Sequence, residues 1–312
     1  MSNPNKERQS IAVKAPASTS NLGAGFDCFG LALQLYLNVR ATIAEDQQDD
    51  CIIHVGEEKE NSALPLTSEN LVYRTMAYAA QREGVHLPPL QLDIDNEIPV
   101  ARGLGGSAAA VIAGLKLFAA ICERPLSADK ILQYATEIEG HADNAAPSLL
   151  GGFVVNCIGE RGEVISIRRP WPDDIKVVVV VPELHLETKL ARAALPESVN
   201  HRDAVFNLQR SALFAAALAE RRYDLLWEAT QDRLHQQKRS ALVPGLAAAL
   251  ATPRMPSLLG LALSGAGPSV VALAQDQFEE IGKAIAEGFE QHGVPTRVLR
   301  LGTDSAGCQS VI

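Results

Sequence analysis

The sequence contains little cysteine, and its cysteines are not arranged in pairs. Only five cysteines occur among 312 residues, and none belongs to a Cys-x-x-Cys motif. Disulfide frameworks and zinc sites require cysteines that are even in number or regularly spaced. An odd and scattered set predicts reduced, buried thiols, and it argues against both of those classes of protein.

An excess of positive charge is also missing. The chain has 37 acidic and 28 basic residues, and its formal net charge is -9. Nucleic acids and anionic lipid surfaces attract basic proteins. We therefore expect neither a nucleic acid nor a membrane as the main partner. If the ligand is an anion, the positive charge that binds it has to be local, at a helix terminus, a bound cation or a few arginines.

Long apolar runs are absent as well. Charged residues, glycine or proline interrupt every apolar stretch before it reaches the roughly 18 residues of a membrane-spanning helix. The polar start, MSNPNKERQS, does not have the apolar segment of a signal peptide. These features together predict a cytoplasmic protein.

The apolar fraction of 47% is ordinary for a globular protein, and the length predicts two domains or one large mixed one. Strand-like and helix-like segments are mixed without strict alternation, which favours an α+β fold over a doubly wound parallel sheet. The best linker is RRPWPDD, where two prolines and several charges interrupt the pattern. We therefore expect an N-terminal domain over 1–168 and a C-terminal domain over 169–312.

The stretch PVARGLGGSAAA, from Pro99 to Ala110, is the first candidate site. A strand over Leu90–Asp95 is expected to lead into it, and a helix is expected to leave it from about Ser107. Glycines permit close approach of a ligand to the backbone, and a helix N-terminus attracts anions. The lysine of a Walker loop is missing, and the match to a dinucleotide fingerprint is weak. Taken alone, the stretch is equally consistent with a plain glycine-rich turn capped by Ser107.

Two further stretches change this balance. PASTSNLGAGFDCFGLAL (16–33) is a polar loop after a strand, and LSGAGPSVVAL (263–273) is a tight turn between strands. In this order, the three stretches resemble the motifs of the kinase superfamily that contains galactokinase, homoserine kinase, mevalonate kinase and phosphomevalonate kinase. The middle motif departs from the family pattern, because Gly106 replaces its first serine while Ser107 remains.

Three more segments resemble the homoserine kinases in particular. They are EGHADNAAPSLLGGF (139–153), ETKLARAALP (187–196) and DRLHQQKRSALVPGL (232–246). The resemblance covers about residues 11–301. It implies an N-terminal domain like domain 2 of ribosomal protein S5, a C-terminal ferredoxin-like domain and an active site between them. It also implies transfer of the γ-phosphoryl group of ATP to the side-chain hydroxyl of L-homoserine, with Mg²⁺ and in a homodimer.

The resemblance further implies a role for each substrate-binding residue. Arg192 and Arg239 are expected to bind the carboxylate of the amino acid, since guanidinium groups form bidentate hydrogen bonds with carboxylates. Asp27 is expected to accept from the ammonium group and to orient the hydroxyl. Asn21 and His141 are expected to hydrogen-bond the amino-acid portion.

On the nucleotide side, Ser107 and Glu139 are the candidate magnesium ligands, with Glu137 as the alternative carboxylate. Asn144 stands where some relatives carry an aspartate base, so we expect transfer by positioning and electrostatics without a protein base. Asp143 is expected to brace the loop, and SENLVYR (68–74) to form part of the adenine pocket. The backbone expected to surround the phosphates comprises Pro99, Val100, Ala101, Arg102, Gly103, Leu104, Gly105, Gly106, Ser107, Ala108 and Ala109.

Two alternatives remain open at this point. The first is another member of the superfamily, a mevalonate-type kinase or a diphosphomevalonate decarboxylase, whose substrates carry a carboxylate but no ammonium group. The second is a nucleotide-binding regulator without catalytic activity on the same fold. Asp27 together with the two arginines favours an amino acid as the substrate.

Overall fold

A computed structural model describes residues 10–44, 49–57 and 59–311, and it shows two β-sheets with helices packed on them. The larger sheet has the order β11-β1-β2-β4-β3, and β5 and β6 extend it from β2. Its pairs are antiparallel except for β3 with β4. Its strands are β1 (Ser10–Ser20), β2 (Phe29–Ile43), β3 (Cys51–Val55), β4 (Leu90–Asn96), β5 (Phe153–Ile158), β6 (Val164–Arg169) and β11 (Gln309–Val311).

Four helices pack with the larger sheet: α1 (Leu71–Glu83), α2 (Gly106–Ile121), α3 (Ala128–Glu139) and α4 (Ala145–Leu150). Helix α2 is central, because it contacts the three other helices as well as β1 and β2. It is apolar over most of its circumference, as expected of a helix enclosed on all sides. Its N-terminus is therefore held rigidly by the core.

The second sheet has four antiparallel strands in the order β10-β7-β9-β8. Its strands are β7 (Lys176–Pro182), β8 (Leu258–Leu263), β9 (Val270–Ala274) and β10 (Thr296–Leu301). The valines of β7 are buried on both faces, as its continuous β-branched run predicts. The remaining helices are α5 (Thr188–Ala193), α6 (His201–Ala219), α7 (Leu226–Ala229), α8 (Gln236–Ser240), α9 (Leu246–Leu250) and α10 (Phe278–Glu290).

The predicted α+β class agrees with this mixture of mainly antiparallel sheets and helices. The predicted linker lies between the two sheets, but it is packed rather than loose. Trp171 is 7% exposed and donates a hydrogen bond to the carbonyl of Ile175 at 2.9 Å. The C-terminal residues also depart from the predicted boundaries, because β11 returns to the larger sheet and pairs with β1.

Candidate active site

The glycine stretch lies where the sequence predicts it, between the end of β4 and the start of α2. Gly103 and Gly105 have φ values of 75° and 67°, which favour glycine. Gly105 precedes the first helical residue, and within the described part of the chain no side chain caps the helix there. The first amide groups of α2 are thus available to an anion.

The Ser264–Ser269 turn packs against this stretch. The hydroxyl of Ser264 donates to the carbonyl of Gly103 at 2.6 Å. A Cβ on Gly103 would lie 2.2 Å from the carbonyl oxygen of Ser264, and one on Gly105 would lie 2.1 Å from Oγ of Ser18. Glycine is therefore required at both positions for steric as well as conformational reasons.

A single cleft gathers most of the predicted site residues, and both the glycine stretch and the substrate candidates line it. Two predicted phosphate contacts lie outside its lining. Ala109 is fully buried within α2, and Val100 faces a neighbouring apolar pocket. The predicted residues that do line the cleft are Asn21, Asp27, Pro99, Ala101, Arg102, Gly103, Leu104, Gly105, Gly106, Ser107, Ala108, Glu139, His141, Asn144, Arg192 and Arg239.

Ser107 and Glu139 meet at the nucleotide side of the cleft. The Ser107 hydroxyl donates to Oε1 of Glu139 at 2.6 Å. The alternative, Glu137, instead bonds to the Tyr78 hydroxyl and accepts from Arg82 at 2.6 Å, and these contacts lower the pKa of its carboxyl group. Of the two glutamates, only Glu139 lines the cleft.

This hydroxyl–carboxylate pair fits a magnesium ion. Mg²⁺ prefers hard oxygen ligands and binds through one or two carboxylates together with substrate phosphates. In residues 10–44, 49–57 and 59–311, no group of three or more His, Cys, Asp and Glu side chains could hold a metal. A sparse protein donor set beside a phosphate-binding backbone is the arrangement expected for magnesium delivered with a nucleotide.

On the substrate side, Arg192 and Asp27 form a bidentate ion pair. Nη2 of Arg192 donates to Oδ1 of Asp27 at 2.6 Å, and Nη1 donates to Oδ2 at 3.1 Å. Burial lowers the pKa of Arg192, but the hydrogen bond and charge of Asp27, together with the charge of Asp143, raise it by more. The two groups predicted to bind opposite ends of an amino acid thus neutralise each other here.

Arg239 comes to the same place from α8 and is only 1% exposed. Its Nη1 donates to the carbonyl of Gly265 at 3.0 Å, and its Nε donates to the carbonyl of Ala191 at 3.3 Å. Burial is the main cause that lowers the pKa of this guanidinium, and the nearby charge of Arg192 lowers it further. A buried cation of this kind is suited to bind an anion that enters the cleft.

Asn21 lines the cleft, but both ends of its side chain are engaged. Its amide donates to the carbonyl of Gly265 at 2.9 Å, and its Oδ1 accepts from the backbone amide of Asp27 at 3.0 Å. Asn21 therefore joins the β1–β2 loop to the Ser264–Ser269 turn and orients Asp27.

The HADN segment forms a network at the base of the cleft. Asn144 accepts from Ser18 at 3.0 Å and donates to Ser20 at 2.9 Å. Nδ1 of His141 lies 2.7 Å from Oδ1 of Asp143, whose side chain is buried. Burial lowers the pKa of His141, but the hydrogen bond and charge of Asp143 raise it by more.

Asp143 remains ionised in this network. Burial raises the pKa of its carboxyl group, but the hydrogen bond and charge of His141 lower it by more. Asp143 also accepts from the Asn144 amide at 3.2 Å, which matches the bracing role expected for it.

Sequence reasoning missed several residues that support the cleft. Ser18 and Ser20 bind Asn144, and the ring of Phe26 lies against both arginines, 5.7 Å from Cζ of Arg192 and 5.3 Å from Cζ of Arg239. All three belong to the quoted stretch 16–33. The signal was available there, but the sequence does not show which polar or aromatic side chains turn inward.

A second pocket, mostly apolar, adjoins the glycine stretch. Ser107 and Ala101 line both cavities, so the cleft and the second pocket meet at the glycine stretch. Part of the predicted adenine segment is in its lining. Residues that line it include Leu64, Pro65, Asn70, Leu71, Val72, Ile98 and Val100.

A lysine-free glycine stretch at a helix N-terminus, combined with two sheets, places the chain among the GHMP kinases. These are the superfamily of galactokinase, homoserine kinase, mevalonate kinase and phosphomevalonate kinase. The family described as GHMP kinases N terminal domain matches residues 70–152. Within that class, the chain belongs to the homoserine kinase family. It is 40% identical over 297 residues to the homoserine kinase of Persephonella marina, an alignment that covers 95% of this chain and 97% of that relative.

Solved structures agree with this assignment. The crystal structure of homoserine kinase from Cytophaga hutchinsonii superposes with a TM-score of 0.83 at 26% identity and covers all of both chains. The mevalonate kinase of Leishmania major, solved with R-mevalonate, superposes with a TM-score of 0.69 at 16% identity over 98% of this chain and 99% of that one. The latter likeness shows the shared fold alone.

Proposed function

We propose that the chain transfers the γ-phosphoryl group of ATP to the side-chain hydroxyl of L-homoserine and so serves threonine biosynthesis. The observation that carries this proposal is the cluster of Asp27, Arg192 and Arg239 in the cleft that the glycine stretch also lines. Homoserine kinase is also the name of relatives that match nearly the whole chain.

The charges in the cleft match a zwitterion. In the proposed complex, the substrate carboxylate binds Arg192 and Arg239, and its ammonium group binds Asp27. One ion pair within the protein is thereby exchanged for two ion pairs with the substrate. A ligand with only one charge would break the Asp27–Arg192 pair and leave one protein charge without a partner, which is costly at a half-buried position.

The proposed transfer proceeds without a protein base. Asn144 is an amide and cannot accept the hydroxyl proton, and the carboxylate of Asp143 has a lowered pKa that makes it a weak base. The homoserine oxygen forms a bond to the γ-phosphorus as the bond from that phosphorus to the β,γ-bridging oxygen breaks. ADP leaves, and the hydroxyl proton passes to an oxygen of the transferred phosphoryl group.

Positioning and charge then supply the catalysis. The amide groups at the start of α2 hold the phosphates, and Arg192 and Asp27 fix the amino acid. Ser107 and Glu139 would hold the magnesium ion, which supplies positive charge that neutralises the phosphates. The adenine base would enter the apolar pocket beside Asn70 and Leu71.

A coupled assay of ADP release tests the function directly. With Mg-ATP, we expect turnover that depends on L-homoserine, and no comparable turnover with mevalonate or diphosphomevalonate. Mevalonate has a carboxylate but no ammonium group, so it would leave Asp27 unpaired. Phosphorylation of mevalonate without phosphorylation of homoserine would reject the proposal, and binding of ATP without turnover of any hydroxy acid would favour a regulator.

We also propose the finer features that the resemblance implies. The smaller sheet, with its strands counted in chain order, has the order 4-1-3-2, which supports a ferredoxin-like domain. The S5-like description of the larger sheet and a cytoplasmic location remain part of the proposal. No helix in the described part of the chain is long and apolar enough to cross a membrane.

The homodimer is a proposal as well. It is supported by α6, which exposes Leu208 to 69% and places exposed Ala204 and Ala212 one turn to either side of it. If this face is the interface, Leu208→Glu should shift the mass measured by light scattering from dimer to monomer. A dimer unaffected by this substitution would locate the interface elsewhere, and a monomeric wild type would reject the homodimer.

A further inference from the structure

His235 is completely buried behind the cleft, between the β1–β2 loop and Arg239. Its Nε2 lies 2.9 Å from the carbonyl oxygen of Gly23, and its Nδ1 lies 3.4 Å from Nη1 of Arg239. The histidine thus touches both the loop that carries Asp27 and the arginine that faces the substrate carboxylate.

These two contacts determine the form of the ring. A carbonyl oxygen only accepts hydrogen bonds, so Nε2 must carry the proton that it donates to Gly23. A guanidinium group only donates, so Nδ1 must have a free lone pair to accept from Arg239. The neutral Nε2–H tautomer is the one form that satisfies both neighbours.

The charges around the ring are consistent with the neutral form. Arg239 comes from α8, the helix that His235 directly precedes, and Arg192 lies against the same Phe26 ring as His235. Asp27 and Asp232 supply the nearby negative charge. Burial is the largest influence on the pKa of His235 and lowers it, despite the opposing effect of Asp232.

Asp232 is itself occupied by the start of α8. Its carboxylate accepts from the backbone amides of Leu234, His235 and Gln236 at 3.0, 3.0 and 2.8 Å, and from the side chain of Asn207 at 2.7 Å. Its Oδ1 lies 3.7 Å from Nε2 of His235, too far for a hydrogen bond. The carboxylate therefore fixes the backbone of His235, while the imidazole ring forms its hydrogen bonds with Gly23 and Arg239.

We propose that His235 is a positioning residue for recognition of the substrate carboxylate: in its neutral Nε2–H tautomer, Nδ1 is the acceptor that holds Arg239 in place. This inference rests on the proposed function, because Arg239 is the proposed carboxylate ligand. His235 does not contact the substrate. It acts by accepting a hydrogen bond from Nη1 of Arg239. Together with the carbonyls of Ala191 and Gly265, this bond fixes the guanidinium where it lines the cleft.

Two substitutions separate the two contacts. The amide oxygen of asparagine can take the place of Nδ1, so His235→Asn keeps an acceptor for Arg239 and loses the donor to Gly23. The amide nitrogen of glutamine can take the place of Nε2, so His235→Gln keeps the donor and loses the acceptor. His292, near the C-terminal end of α10, bonds to the carbonyl of Gly288 and provides the control variant His292→Asn.

We expect His235→Gln to raise KM for homoserine about tenfold, while kcat and KM for ATP stay within about twofold. His235→Asn and His292→Asn should leave KM for homoserine much closer to the wild-type value. In an Arg239→Gln background, adding His235→Gln should change KM for homoserine by less than about twofold. Inhibition by 3-aminopropan-1-ol, which has the ammonium and hydroxyl groups but no carboxylate, should not change in His235→Gln.

Three results would each overturn the inference. The two His235 substitutions could raise KM for homoserine equally, or the effects of His235→Gln and Arg239→Gln on that KM could be additive. His235→Gln could also weaken binding of homoserine and of 3-aminopropan-1-ol equally. The tautomer is measured separately by ¹⁵N NMR of the histidine rings, where we expect a protonated Nε2 and a bare Nδ1. A cationic or Nδ1–H ring would overturn it regardless of activity. If the wild type does not phosphorylate homoserine, the proposed function fails, while the NMR result still decides the bond to Arg239.

Discussion

Asp27 and Arg192 form an ion pair with each other in the cleft, and we propose that this pairing determines which ligands can bind between them. Neither charge is free for a ligand that offers only one partner. At the scale of single residues, the proposed function therefore makes the ion pair a filter for zwitterions, with Arg239 as a fixed cation beside it.

The filter predicts a change of specificity in Asp27→Asn. The variant should lose about 100-fold in kcat/KM for homoserine, because the ammonium group loses its ionic partner. It should discriminate less against 4-hydroxybutanoate, which lacks the ammonium group, because no carboxylate is left unpaired. The measurement compares the inhibition constant of 4-hydroxybutanoate with the KM for homoserine in the wild type and in the variant. An unchanged ratio of these two constants would reject the filter.

Ser107 gives a second prediction at this scale. Ser107→Ala and Glu139→Gln should each lower kcat on the order of 10- to 100-fold and raise the magnesium concentration required. The first removes a hydroxyl ligand, and the second replaces a charged carboxylate ligand with a neutral amide. Glu137→Gln is the matched control on the same helix, and it should leave magnesium dependence unchanged. Identical magnesium curves for Glu139→Gln and the wild type would show that Glu139 does not hold the ion.

At the scale of elements, the glycine stretch and α2 form a rigid unit because the Ser264–Ser269 turn and β1 are packed directly against it. Glycine and N-cap signals are local, so the ends of helices such as α1 and α3 can be predicted from the sequence. Ser127 caps α3, and Gly84 and Gly140 end α1 and α3. Periodicity does not assign the start of β2, because its buried residues Phe29–Leu33 lack the alternation that marks a strand.

Gly105→Ala tests the packing of this unit. Gly84 has nearly the same φ, 65° against 67°, but apart from its near neighbours no heavy atom of the described residues lies within 4 Å of its Cβ position. Gly84→Ala therefore measures the conformational cost alone, about 1 kcal/mol. Gly105→Ala should cost a further 1–3 kcal/mol or so in the free energy of unfolding and raise KM for ATP. Equal costs in denaturant titrations would mean that the stretch moves freely.

At the scale of the whole molecule, the site depends on contacts between distant parts of the chain. Asp27 and Arg192 are 165 residues apart, and Ser18 and Asn144 are 126 apart. The family resemblance identified the residues, but composition and periodicity could not show that Arg192 pairs with Asp27 or that Asn21 has both ends engaged. These arrangements arise only when the two sheets and the connecting helices pack together.

His141 and His235 should give the stability of the protein opposite dependences on pH. The folded pKa of His141 lies above the ordinary 6.5, so its stabilising contribution is complete below that value and is lost as pH rises through the folded pKa. The folded pKa of His235 lies below 6.5, so its contribution is lost as pH falls and the unfolded chain takes up the proton.

Denaturant titrations between about pH 6 and about pH 9 should therefore show that His141→Gln loses most relative to the wild type at the acidic end. The difference should shrink as pH rises. A difference that grows with pH would mean that His141 is neutral in the folded protein and that Asp143 does not stabilise the protonated imidazole.

The most direct measurement is identification of the product by ³¹P NMR after incubation with Mg-ATP and L-homoserine. The proposed function predicts ADP and, in equal amount, one new phosphomonoester whose phosphorus couples to the protons of a CH₂ group. Arg239→Gln should form it far more slowly at the same homoserine concentration. Inorganic phosphate as the only new signal besides ADP, or an unchanged ATP spectrum, would contradict phosphoryl transfer to homoserine in this cleft.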